Sequence, residues 1–139
     1  MIENPRIFVQ KLIDEGAKTV VVSGIPPLGC AAANLVLFAN QTGGEHEPDT
    51  GCLRDLNLLS KQHNLQLHQA LTRLKGRYPA AAAGVRVIYA DFYAPIIDFA
   101  VAPGRYGFNG TDDGALRCCC NGAGGKYNFD LAADIAVHS

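Results

Sequence analysis

Apolar and polar positions follow three rhythms along this chain, and each predicts a different kind of element. Over residues 5–15, Ile7, Phe8, Leu12 and Ile13 form a stripe at helical spacing. Pro5 falls where an early-turn proline is tolerated, and Gly16 suits the position just past a helix end. Lys18-Thr19-Val20-Val21-Val22-Ser23-Gly24 is a β-branched run, apolar at successive positions, which predicts a strand covered on both faces as in a parallel α/β sheet. The next residues, Ile25-Pro26-Pro27-Leu28-Gly29-Cys30, predict an extended turn, because a residue before proline is pushed out of the α region. Residues 40–52 carry Asn40, Gly43, Gly44, Pro48, Asp49 and Gly51 and read as loop. From Leu53 to Lys75 three- and four-residue steps return. They predict a long helix with an inner face of Leu56, Leu59, His63, Leu67, Ala70 or Leu71, and Leu74, closed by Gly76. Val85–Asp91 reads as a second strand, and a short helix over residues 92–102 ends before Pro103-Gly104. Beyond it the chain is rich in glycine and cysteine as far as Leu131, and Ala132–Val137 is too short to classify.

Strand, helical crossover and strand make a parallel unit, for which a right-handed crossover is the rule. Two strands are too few to close a sheet, and strands buried on both faces need neighbours. The pattern therefore predicts a single, partial α/β domain over residues 1–139.

Charge and cysteine content narrow the function classes. A net charge of −1, without a run of like charges, lacks the electrostatic footprint of a nucleic-acid or anionic-membrane binder. No stretch approaches the roughly 18–20 apolar residues of a membrane span. Met1-Ile2-Glu3-Asn4-Pro5-Arg6 does not read as a secretory signal. Against this stand cysteines at Cys30, Cys52 and Cys118-Cys119-Cys120, and two Asn-x-Thr glycosylation acceptors at Asn40 and Asn109 in turn-rich segments. These point to a secretory ancestry, and a truncated chain reconciles the two sets of signals.

Several blocks, in order, resemble the plant GDSL esterase/lipase branch of the SGNH hydrolases. Gly16-Ala17-Lys18 leading into Val20–Cys30 is similar to the family's strand and "PPLGC" turn. Cys52, Asn57, His63-Asn64, Leu67, Leu71 and Leu74 resemble its cysteine-and-asparagine helix. Tyr89-Ala90-Asp91-Phe92-Tyr93 with Pro103 and Tyr106-Gly107-Phe108 is similar to its "YADvY…P..YGF" block, and Cys119-Cys120, Gly122, Gly124, Gly125, Tyr127 and Asn128 to its "CCG.GG.YN" block. The resemblance covers about residues 15–129. It implies a three-layer α/β/α, flavodoxin-like fold with a parallel sheet, present here in part. It also implies hydrolysis of carboxylic esters through a serine acyl-enzyme without a cofactor, an extracellular location for the family, and pairing of Cys30 with Cys52 across the loop that carries Asn40.

The family takes its nucleophile from a GDS motif, an oxyanion donor from a GxND asparagine and its base from a D-x-x-H pair. No Gly-Asp-Ser and no Asn-Asp occurs in this chain, and Asp134 and His138 are separated by three residues rather than two. The expectation is an internal stretch of the family with no catalytic residue of its own. The final residues fit a misread or alternatively spliced exon.

The remaining chemistry-bearing residues have plainer readings. Ser23 before Gly24 lacks the spacing of a nucleophile elbow and reads as a strand-end hydroxyl satisfying loop backbone. His63 and His68 read as packed or solvated helical side chains without an H-E-x-x-H context, and His46, between Glu45 and Glu47, as solvated. Asp91 reads as the cap of the following helix. Adjacent cysteines point apart and lack C-x-x-C spacing, so no zinc site is expected at Cys118–Cys120. One of Cys119 and Cys120 is left as a reactive thiol in the family comparison. Gly122–Tyr127 lacks the preceding strand and the Ser or Thr of a phosphate loop. Two alternatives stand beside the esterase reading: a non-catalytic binding or regulatory remnant associating through an uncovered sheet edge, and an incomplete gene model.

Overall fold

The structure, a computed structural model, describes residues 3–38, 45–78, 84–108, 116, 117, 125 and 127–129. Its elements run α1 (Glu3–Asp14), β1 (Thr19–Ser23), a 3₁₀ turn (Leu28–Cys30), α2 (Ala32–Leu37), α3 (Arg54–Arg77), β2 (Arg86–Ala90), α4 (Tyr93–Val101) and a second 3₁₀ turn (Pro103–Tyr106). The two strands pair in parallel, with Thr19 beside Arg86, Val21 beside Ile88 and Ser23 beside Ala90. This is an α/β arrangement with an incomplete parallel sheet.

The helices that flank the sheet bury less than the sequence pattern indicates. α1 turns Val9 and Ile13, one helical turn apart, into the core, whereas Ile7, Phe8 and Leu12 of the anticipated stripe are exposed. A single i, i+4 ridge meets the neighbouring elements, and among the described residues the adjacent ridge has nothing to bury against. The strands alternate in the same way. Val20 and Val87 join Val9, Ile13, Leu67, Leu71, Leu74 and Val85 in one apolar cluster. Val21 and Ile88, side by side in the register, stay 60% and 41% exposed. Among the described residues, cover therefore lies on one face of the strands, not on both.

α3 has its own correction. Its buried residues are Asn57, Ser60, Asn64, Leu67, Leu71 and Leu74, a strict three- and four-residue repeat. The carboxyl-terminal half of this face is the apolar one read from sequence. In the amino-terminal half the buried face is polar, and Leu58 and Leu59 point to solvent. Asp55 in the first turn and Lys75 and Arg77 in the last complement the helix dipole.

A second apolar cluster gathers Cys30, Leu35, Cys52, Leu53, Leu116 and Tyr127, with Ile97 and Ala100 of α4 against it. Asp91 opens α4: its Oδ1 accepts from the backbone N–H of Tyr93 at 2.8 Å and of Ala94 at 3.2 Å. Those are donors a helix start leaves unpaired. Pro95 lies in the first turn of α4, where a missing N–H costs little.

The face assignment of α3 gives a direct check. Leu71→Ala, at a site 1% exposed, lowers folding stability by about 2–5 kcal/mol. Leu58→Ala, on the same helix and 50% exposed, changes it by less than about 0.5 kcal/mol. Urea denaturation of the two variants measures both.

Candidate functional site

The residues that the fold holds most tightly lie just past the carboxyl end of β1, the edge at which open α/β sheets place their ligands. There the chain leaves the sheet through Gly24–Cys30. Ahead of its closing 3₁₀ turn this extended, proline-containing stretch bonds little within itself, so its buried polar backbone groups need other partners.

α3 supplies most of those partners. Asn64 Oδ1 accepts from the Ile25 N–H at 2.8 Å, and Asn64 Nδ2 donates to the Ile25 carbonyl at 2.8 Å. Ser60 Oγ accepts from the Leu28 N–H at 3.1 Å and donates to the Leu56 carbonyl at 3.0 Å. Asn57 Oδ1 accepts from the Gly29 N–H at 3.0 Å. The ends are tied by backbone, with Gly24 N–H donating to the Ala90 carbonyl, Leu53 N–H to the Gly29 carbonyl and Cys30 N–H to the Pro27 carbonyl. Pro26 and Pro27 have no N–H. Every backbone N–H from Gly24 to Cys30 is thus paired, and the two prolines reduce the number that α3 must satisfy. From α2, Asn34 Nδ2 donates to the Leu28 carbonyl at 2.8 Å.

Close approach makes this possible. Gly29 lies against the start of α3, where a Cβ would overlap the Leu53 carbonyl oxygen and stand 2.8 Å from Asn57 Oδ1. A Cβ at Gly24 would overlap the Tyr89 hydroxyl. Cys30 and Cys52 then join the end of the turn to the start of α3 through a disulfide with a Cα–Cα distance of 4.5 Å. Closing a span of 22 residues contributes about 2–4 kcal/mol under oxidising conditions.

Glu47 extends the network outward. It accepts from Asn57 Nδ2 and from Thr50 Oγ1, each at 3.1 Å, and pairs with Lys61 at 3.7 Å. Lys61 Nζ lies 5.7 Å from the centroid of the Tyr93 ring. The Tyr93 hydroxyl is buried, and among the described residues it makes no hydrogen bond of normal geometry. Burial raises its pKa above 10.0, with the positive charge of Lys61 opposing the shift. Burial also raises that of Tyr89, with Asp91 adding to it.

The other candidates separate from this centre. Ser23 is exposed at the strand end, and α3 side chains, not its hydroxyl, satisfy the turn. His46 is exposed beside Leu53 in an isolated bridge. His63 is half-buried, and His68 meets the Tyr89 ring edge-on at 5.4 Å. None of these three histidines hydrogen-bonds a serine hydroxyl or a carboxylate among the described residues. No group of three or more His, Cys, Asp or Glu among them could hold a metal ion. The arrangement fixes a turn in place. Asn40, Asn109, Cys118, Cys119, Cys120, Gly122, Gly124, Asp134 and His138 lie outside the described residues. Sequence reasoning passed over Ser60, and it took Asn57 and Asn64 only as matching positions. Their signal was the seven-residue repeat they share with Leu67, Leu71 and Leu74.

Gly29→Ala lowers stability by at least about 1–3 kcal/mol, because a backbone carbonyl must move or a buried N–H is left unpaired. Gly76→Ala, in α3 with open space around its Cα, raises it by about 0.4–1 kcal/mol. Thermal or urea unfolding of the pair distinguishes the two effects.

Comparison with known proteins places these features in a family. A GDSL esterase/lipase of Arabidopsis thaliana is 40% identical over 117 residues, which are 84% of this chain and 30% of that protein. A second from the same plant is 42% identical over 123 residues, 88% of this chain and 30% of the relative. Sinapine esterase of Brassica napus is 40% identical over 123 residues, again 88% and 30%. No family model and no solved structure matches the chain. The chain spans about 30% of the length of these relatives. Across the matched span, most of this chain, it is similar to plant GDSL esterase/lipases, and its incomplete parallel α/β arrangement is consistent with the SGNH fold that this likeness implies.

Proposed function

We propose that this chain is the scaffold segment of a carboxylic ester hydrolase, and that alone it hydrolyses no ester above background. The observation that carries the reading is the Gly24–Cys30 turn at the carboxyl edge of the sheet, with each of its backbone N–H groups paired, in a sequence about 40% identical to esterases along most of its length. Acyl transfer needs a hydroxyl nucleophile, a base within about 2.6–3.2 Å of it and donors aimed at the developing oxyanion. In the family's chemistry a serine oxygen bonds to the ester carbonyl carbon, the alcohol leaves with a proton, and water releases the acid. The GDS, GxND and D-x-x-H groups for these steps do not occur in this sequence. The role of the present residues is positional: Asn57, Ser60 and Asn64 hold rigid the edge on which such groups are assembled.

The substrates proposed for the complete enzyme are lipid, acetylated-polysaccharide or small acyl esters, with no cofactor. One relative's name specifies sinapine esterase activity, which supports an acyl ester as the substrate class. A secreted location, with glycans on Asn40 and Asn109, is proposed on the two acceptor motifs and supported by the Cys30–Cys52 disulfide, a bond favoured in oxidising compartments. Among the described residues no helix is long and apolar enough to cross a membrane. The open edges of the two-stranded sheet favour one further reading, a non-catalytic partner of a larger GDSL chain.

Purified chain incubated with p-nitrophenyl acetate gives turnover equal to buffer, unchanged by a serine-directed phosphonate. Turnover that the phosphonate abolishes overturns the proposal.

A further inference from the structure

We infer that Glu47 is a positioning residue for the Gly24–Cys30 turn: its carboxylate fixes which way the Asn57 side-chain amide faces, and so keeps an acceptor rather than a donor on the Gly29 N–H. Its weight for catalysis rests on the ester-hydrolase reading, whereas the amide orientation is read by hydrogen exchange and stands apart from it.

An asparagine amide has nearly the same shape either way round, and a half-turn about its last bond exchanges Oδ1 with Nδ2. The other two turn-binding side chains settle their own direction. Asn64 meets both the N–H and the carbonyl of Ile25, each at 2.8 Å, and Ser60 donates to the Leu56 carbonyl while accepting from Leu28. Asn57 reaches the turn backbone through one bond, Oδ1 to the Gly29 N–H at 3.0 Å, which alone does not place Nδ2. Nδ2 donates to Glu47 Oε2 at 3.1 Å and lies 3.7 Å from Cys30 Sγ, a weak acceptor. Reversed, the amide sets N–H against N–H at Gly29 and oxygen against carboxylate at Glu47. Asn57 is 0% exposed, so water relieves neither opposition.

Glu47 is itself held in place. Its backbone N–H donates to the Cys52 carbonyl and its carbonyl accepts from the Gly51 N–H, each at 2.8 Å. Thr50 Oγ1 donates to the same Oε2 at 3.1 Å, and Lys61 Nζ stands 3.7 Å from Oε1. An ionised carboxylate accepts more strongly than a neutral oxygen. The loop before α3 thus acts on the turn through one charged group as well as through the Cys30–Cys52 disulfide.

Site-resolved amide exchange on the full chain, with its disulfide intact, tests the inference. Glu47→Ala speeds Gly29 exchange by about tenfold, while Ile25 and Leu28, held by Asn64 and Ser60, change by less than about twofold. In an Asn57→Asp background the sign reverses. There both side-chain oxygens accept, no orientation remains to be set, and the Glu47 carboxylate faces a like charge, so adding Glu47→Ala slows Gly29 exchange. Glu47→Gln keeps an acceptor without the charge and holds Gly29 within about threefold of wild type, which decides the matter if Asn57→Asp does not fold. Equal acceleration at all three amides marks a general loosening and overturns the inference. So does an unchanged Gly29 in Glu47→Ala, the same sign in both backgrounds, or Glu47→Gln as fast as Glu47→Ala. Turnover of p-nitrophenyl acetate is read separately: phosphonate-sensitive turnover removes the scaffold reading and leaves the amide orientation standing.

Discussion

A turn that leaves a parallel sheet carries polar backbone into a region that water does not fully reach, and each unpaired N–H there costs about 1–3 kcal/mol. In this protein three side chains on one face of a crossover helix meet that demand. Asn57, Ser60 and Asn64 each accept from a backbone N–H of the Gly24–Cys30 turn, and Asn64 also donates to the Ile25 carbonyl. The bonds are individually modest, about 0.5–1.5 kcal/mol net. Their weight comes from the alternative, a buried turn with no partners. The rotation of α3 follows from this: the polar positions must face the turn, which sends Leu58 and Leu59 to solvent and carries Leu67, Leu71 and Leu74 onto the strands.

Other features keep that contact close. Gly29 allows the turn backbone to touch the Leu53 carbonyl, and the Cys30–Cys52 disulfide ties the turn to the segment that leads into α3. Glu47, held by Asn57 and Thr50, brings the preceding loop onto the same helix. Along α3 the polar residues lie between two apolar clusters, one under the strands and one around the disulfide. The helix thereby sets the position of the sheet's carboxyl edge relative to both.

The strand–helix–strand unit was legible because β-branched runs and a long three- and four-residue repeat are strong local signals. The Asp91 cap was legible too, from an acidic residue placed just before a short apolar helix. The inner face of α3 was legible only in its second half. Apolar periodicity assigns leucines inward, and nothing in Leu56–His63 by itself shows that a distant turn needs acceptors more than the core needs Leu59. α2 was missed because Ala32–Leu37 is too short to develop a period. Coverage of both strand faces was inferred from Val20–Val22, yet the elements that would cover Val21 are not among those this chain supplies in the described structure. For the site, the first two family blocks fall on the Gly24–Cys30 turn and the face of α3 that pairs with it. The pairing of that turn with Asn57, Ser60 and Asn64 depends on side chains brought together from distant parts of the chain, which no local pattern shows.

Site-resolved amide hydrogen exchange on the wild type and on Asn57→Ala tests this account most directly. The Ile25, Leu28 and Gly29 amides should exchange as slowly as those around Leu71 in the core of α3, and loss of Asn57 should release Gly29 first. Exchange of those three amides at the rate of an open loop in the wild type, or protection of Gly29 that survives the loss of Asn57, would contradict it.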